Sequence, residues 1–203
     1  MLSWIHRRRL RKNRRAIGID ITPYCIRALQ ITEQAGQLTI EKVFSAPTQR
    51  HSDAPSSVLQ QLTEHCGFDR HAEVAIAMPH NAVFYREVET DSSTSEPLQH
   101  TDMSGLDNNF PIPMDQIVAQ RCNEQALSDD ASSQLVAATD RDSVQERLDR
   151  LSDLQIAPSL VESEIFAVRA AALANDPSMR LGRYVIVYVD QCHLSLLVME
   201  DCK

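Results

Sequence analysis

Residues 16–32 read AIGIDITPYCIRALQIT, two apolar runs (16–21 and 25–31) on either side of Thr22-Pro23-Tyr24. Runs this short do not separate a strand from a buried helix by periodicity. Their β-branched content and the turn chemistry between them favour two antiparallel strands. The first run carries Gly18-Ile19-Asp20, so a carboxylate stands at a strand-to-turn corner. Such a corner can approach a phosphate or a magnesium ion, and it can equally be held by an aspartate that only stabilises the turn.

Working downstream, Gly36 marks a turn and LTIEKVFS (38–45) alternates as a third strand. Ser52-Asp53-Ala54-Pro55 opens a helix whose Val58, Leu59, Leu62 and Cys66 share one face, and Gly67 stops it. EVAIAM (73–78) and VFYREVE (83–89) are two more strands around Pro79-His80-Asn81, where Asn81 is suited to a left-handed turn. Residues 90–109, rich in Ser, Thr and Asp, read as a surface loop. Phe110-Pro111-Ile112-Pro113-Met114-Asp115 then precedes a strand over about 117–122. Two prolines make that turn rigid, as an exposed contact surface for a peptide or as a corner packed into its own core. On the first reading Ile112→Asp weakens partner binding and leaves the fold intact. SQLVAAT (133–139) is a strand, and Asp140 or Asp142 caps a helix with Val144, Leu148, Leu151 and Leu154 as its stripe. Pro158 closes that unit, a further helix runs over 162–174, and 184–189 with 194–199 form a last hairpin.

Composition sets bounds. At 203 residues the chain can bury a sizeable core, in one large domain or two small ones. Net charge is −8, but Arg7, Arg8, Arg9, Arg11, Lys12, Arg14 and Arg15 all fall in the first fifteen residues, leaving 13 basic against 28 acidic side chains elsewhere. This basic arm, 1–15, with Trp4 among its cations, is a solvated tail or a contact with an anionic membrane surface. Nucleic acid is not an expected partner, since the acidic body would repel a polyanion. Five cysteines without a CxxC pair point to reduced thiols and not to a disulfide framework or zinc site. No run approaches the roughly 18–20 apolar residues of a membrane span, and no secretory signal is present, so a cytoplasmic location is expected. No metal-ligand spacing, GxSxG or P-loop occurs, and adjacent Cys192-His193 point to opposite faces of a strand; no catalytic set emerges.

Four blocks carry a family resemblance: GIDI with its following turn, VAIAMPHNAVFYREVE, FPIPMD, and LVAATDRDSVQERLDRLSDLQIAPSLVESEIFAVRAA. Together they resemble PilM, the actin-like assembly protein of type IV pilus and competence systems, over the first half of that family's usual length. The resemblance implies an α/β fold: an actin-like (ribonuclease H-like) mixed-sheet subdomain at 16–70 and 160–203, an inserted small α+β subdomain at 71–159, and no second actin-like lobe. It implies a scaffold at the cytoplasmic face of the inner membrane, docking the N-terminal tail of a PilN-like membrane protein. Phe110, Ile112, Pro113 and Met114 would then be partner contacts.

The family's nucleotide positions fall on Gly18, Asp20, Thr22, Arg27, Glu164 and Asp190. Thr22-Pro23-Tyr24 departs from the glycine and small hydroxyl residues expected at the first phosphate loop, and Tyr188 and Asp190 depart from Asp-x-Gly at the second. Proline removes a backbone donor and a carboxylate repels phosphate, so ATP turnover is not expected, although the resemblance leaves vestigial Mg-ATP binding open. Two alternatives are an ATPase that takes its second lobe from another chain and a truncated, non-functional paralogue.

Overall fold

The computed structural model describes residues 14–48, 67–69, 71–89, 110–125, 133–152, 155–189 and 194–200. The first hairpin is as the sequence predicts. Strands β1 (Arg14–Ile21) and β2 (Cys25–Gln34) pair antiparallel, with Asp20 opposite Arg27 and Ile21 opposite Ile26. A tight turn at Ala35-Gly36, both at positive φ, leads into β3 (Gln37–Pro47), which pairs antiparallel with β2. Glycine is suited to that conformation because it lacks the Cβ that crowds it.

Strand β4 (Glu73–Met78) lies on the other side of β1, parallel to it, and β8 (Leu160–Ser163) lies parallel to β4. The resulting five-stranded sheet has the order β3-β2-β1-β4-β8. Here the expected boundary at residue 71 fails, because 73–78 is an inner strand of the first sheet and not part of the insertion. Parallel pairing is non-local and leaves no mark in either strand's own pattern.

One face of this sheet is the main core. Ile17, Ile19, Ile21, Ile26, Ala28 and Ile76 are buried there. Helix α1 (Arg141–Ser152) covers it through Leu148 and the fully buried Leu151. Asp140 caps that helix, its Oδ2 accepting from Ser143 N at 2.9 Å. The turn His80–Ala82 is a single 3-10 turn, and Asn81 is not left-handed as expected.

Between β4 and β8 the chain builds a second sheet, β5-β7-β6, all antiparallel: β5 (Val83–Glu89), β6 (Ile117–Gln125) and β7 (Ser133–Asp140). Its separate core holds Phe110, Ile117, Val136 and Ala138, with Ile112 and Met114 packed against them. After β8, helix α2 (Glu164–Asn175) begins two residues later than the sequence suggests, since Glu162 and Ser163 still pair with Ala77 and Met78. Strands β9 (Arg183–Val189) and β10 (Leu194–Glu200) form a two-stranded ribbon of their own, and are not strands of the first sheet. The helix predicted after Ser52, the loop 90–109, Trp4, the cations from Arg7 to Lys12, and Asp190 lie outside the described residues.

Candidate functional site

In open α/β sheets, ligands gather beyond the carboxyl ends of parallel strands. Here those ends are Ile21 of β1, Met78 of β4 and Ser163 of β8, and the chain places polar and charged groups around them.

The turn after β1 is closed upon itself. Thr22 N donates to Cys25 O at 2.9 Å, and Thr22 Oγ1 donates to the same carbonyl at 2.9 Å. The backbone N–H groups of Tyr24 and Cys25 both donate to Thr22 Oγ1, at 3.3 and 3.0 Å. Pro23 has no N–H to offer. Every backbone donor of the turn is therefore engaged within it, two by the Thr22 hydroxyl oxygen and one by the Cys25 carbonyl. Just past the end of β3, Thr48 adds two bonds, N to Tyr24 O at 2.8 Å and Oγ1 to Pro23 O at 2.6 Å. Buried Cys25 packs beneath, its thiol 3.4 Å from Thr22 Oγ1.

The two carboxylates at the strand ends are also engaged. Asp20 pairs with Arg27 across the hairpin at 3.4 Å, an ion pair set by their opposition in the register. Glu164, in the first turn of α2, accepts from His80 N at 3.2 Å and lies 3.4 Å from His80 Nδ1. The helix dipole favours a negative charge there. Between them stands Arg147 of α1, donating through one guanidinium nitrogen to Ile21 O at 3.1 Å and Ala77 O at 3.5 Å. Burial lowers the Arg147 pKa and nearby Arg150 adds to that, while Asp20, Glu146 and Glu164 act in the opposite direction. One cation thus ties α1 to the ends of two adjacent parallel strands.

The second sheet is joined to this cluster through β5. The Tyr85 hydroxyl hydrogen-bonds Ser163 Oγ, its ring meets Phe166 edge-on with centroids 5.4 Å apart, and Thr139 Oγ1 donates to Ala82 O at 2.7 Å. The first two contacts tie the second sheet to β8 and α2 of the first.

Of the expected nucleotide positions, the structure gathers Asp20, Thr22, Arg27 and Glu164 here. Gly18 lies further back on β1, and a Cβ built on it meets nothing within 4 Å, so no close approach requires the glycine. Phe110, Ile112 and Met114 are the small sheet's own core and not an exposed surface; of the four named residues only Pro113 is exposed. Arg14 and Arg15 belong to β1 and not to the arm: Arg14 lies 3.7 Å from Glu73, and Arg15 lies 3.3 Å from Glu41 and 3.0 Å from Asp69. Sequence reasoning missed Arg147, Tyr85 and Ser163. Arg147 had a legible signal: it falls three residues after Val144 and four before Leu151, so a cation interrupts an apolar stripe. Among the described residues no group of three or more His, Cys, Asp or Glu side chains could hold a metal ion, and no helix is long and apolar enough to cross a membrane.

Comparison with known proteins agrees with this architecture. The family model for the type IV pilus assembly protein PilM matches residues 18–199. Among solved structures, the chain is similar to one described as the PilM-PilN type IV pilus biogenesis complex, with a TM-score of 0.74 and 16% identity over 93% of this chain and 59% of that one. It also resembles the cytoplasmic domain of EpsL, an inner-membrane component of the type II secretion system of Vibrio cholerae, with a TM-score of 0.60 and 10% identity over 92% of this chain and 71% of that one. No curated protein sequence matches the chain. The fold is actin-like, and the chain spans 59% of the length of the PilM structure it matches.

Proposed function

The chain belongs to the family of the type IV pilus assembly protein PilM, and from that premise we propose that it is a docking scaffold that does not depend on nucleotide turnover. Its ligand is the cytoplasmic N-terminal tail of a PilN-like inner-membrane protein, and its working place is the cytoplasmic face of that membrane. The tail docks where the two sheets meet, beside the Tyr85–Ser163 link. The basic residues from Arg7 to Lys12, with Trp4, hold the protein at the anionic lipid surface from which the tail emerges. The observation that carries the reading is the turn at Thr22: its own hydroxyl engages the Tyr24 and Cys25 N–H groups that a phosphate would need. Support for the partner comes from the likeness to the PilM-PilN complex.

The test is an anisotropy titration of the chain against a fluorescent peptide from the N-terminus of the PilN-like protein, with and without Mg-ATP. Saturable binding indifferent to nucleotide is the expected result. Binding only with Mg-ATP would put the ATPase reading, with a second lobe supplied by another chain, in its place. A well-folded chain that binds in neither condition would leave the truncated-paralogue reading in front.

A further inference from the structure

The β9–β10 ribbon has two unlike faces. Its register sets Val185 opposite Val198, Val187 opposite Leu196 and Val189 opposite Leu194. These six side chains share one face, and each is 56–69% exposed. Side chains two apart along a strand point the same way, so the next rung of that face is Arg183 opposite Glu200. That rung is an ion pair, with Arg183 Nε 2.6 Å from Glu200 Oε1. The opposite face is the one that turns inward, with Ser195 and Met199 buried.

Six aliphatic side chains exposed to this degree leave an apolar patch on the order of 600 Å², the upper end of what a monomer shows to water. With the charged rung added it approaches the roughly 800 Å² per partner of a standard stable interface. We propose that this face is the interface of a symmetric dimer, formed by stacking on the same face of a second copy about a two-fold axis parallel to the strands. Such an axis keeps each rung at its own height and exchanges the strands, so β9 of one copy lies over β10 of the other. Each valine or leucine rung then meets an identical rung at the roughly 10 Å spacing of packed sheets. Arg183 of each copy faces Glu200 of the other, so the four charges alternate in sign. A rung made of one cation and one anion suits this axis, since the two-fold itself brings unlike charges together.

Sedimentation equilibrium of the 203-residue chain over the micromolar range tests the proposal, with far-UV circular dichroism confirming the fold of each variant. The expected result is a concentration-dependent dimer that Val187→Asp weakens at least tenfold. Glu200→Arg and Arg183→Glu should each weaken it by bringing like charges together across the axis. An equimolar mixture of those two variants should recover association as a heterodimer, because every cross-axis pair becomes opposite again. Mixing cannot restore the pair within either chain, so a merely local role predicts no recovery. A monomer at every concentration would overturn the proposal, and the face would then belong to a different partner. A dimer indifferent to Val187→Asp, or a mixture no stronger than its components, would overturn it too.

Discussion

At the residue scale the Thr22 hydroxyl has the greatest consequence, accepting two backbone N–H groups and donating to a carbonyl. Thr22→Ala leaves those groups to water or unpaired, and is expected to cost about 1–2 kcal/mol, read from the urea midpoint. Arg147 carries a different load. Replacing it with Met removes the donor to Ile21 O and Ala77 O and is expected to destabilise by about 1.5–3 kcal/mol. Arg147→Lys, which keeps the charge and loses the fork, should fall between Met and wild type. Asp69 gives a test by pH. The His71 N–H and then the Arg15 guanidinium hold its carboxyl below the ordinary carboxylate range. A depressed folded pKa contributes stability above the unfolded value and loses it as pH falls through the folded one. An NMR titration of the Asp69 carboxyl should show the depression shrink in Arg15→Gln, and the stability of wild type should draw closer to that of the variant as the carboxyl protonates.

The elements differ in how legible they were. The hairpin of β1 and β2 could be read because its signals are local: branched side chains, a turn, alternation. The same holds for β5, β7, and α1 with its Asp140 cap. What failed was partnership. Strand β4 is legible as a strand but its place in the first sheet is not, because its neighbours β1 and β8 lie far away in sequence. The turn from Phe110 to Met114 failed for a related reason, since exposed and buried prolyl corners have the same composition. Asp20, Thr22, Arg27 and Glu164 lie near the strand ends and Gly18 does not, whereas the roles of Tyr85 and Ser163 come only from tertiary packing. Burial changes the expectation for the turn. Phe110→Ala should cost about 3–5 kcal/mol, seen in urea unfolding. Ile112→Asp should destabilise the small sheet through its contact with the Phe110 cluster, and not leave the fold intact.

As a whole, the described molecule holds two separate apolar clusters, one on the five-stranded and one on the three-stranded sheet, joined by the Tyr85–Ser163 link and α1. Independent clusters can open independently. In native-state hydrogen exchange, Phe110→Ala should therefore lower protection in β5, β6 and β7 while β1 and β4 keep theirs; a uniform loss would show one cooperative unit. The position of β8 has a temporal consequence. The first sheet is completed by four residues, Leu160–Ser163, that follow the whole of the second sheet. During synthesis from the N-terminus, β4 emerges with one edge bare and waits about 80 residues for its neighbour, several seconds at ordinary elongation rates. The small sheet is complete by residue 140 and can fold in that interval. A nascent chain stalled before residue 160 would display the β4 edge to any strand nearby, which makes the pace of translation part of how this protein reaches its fold.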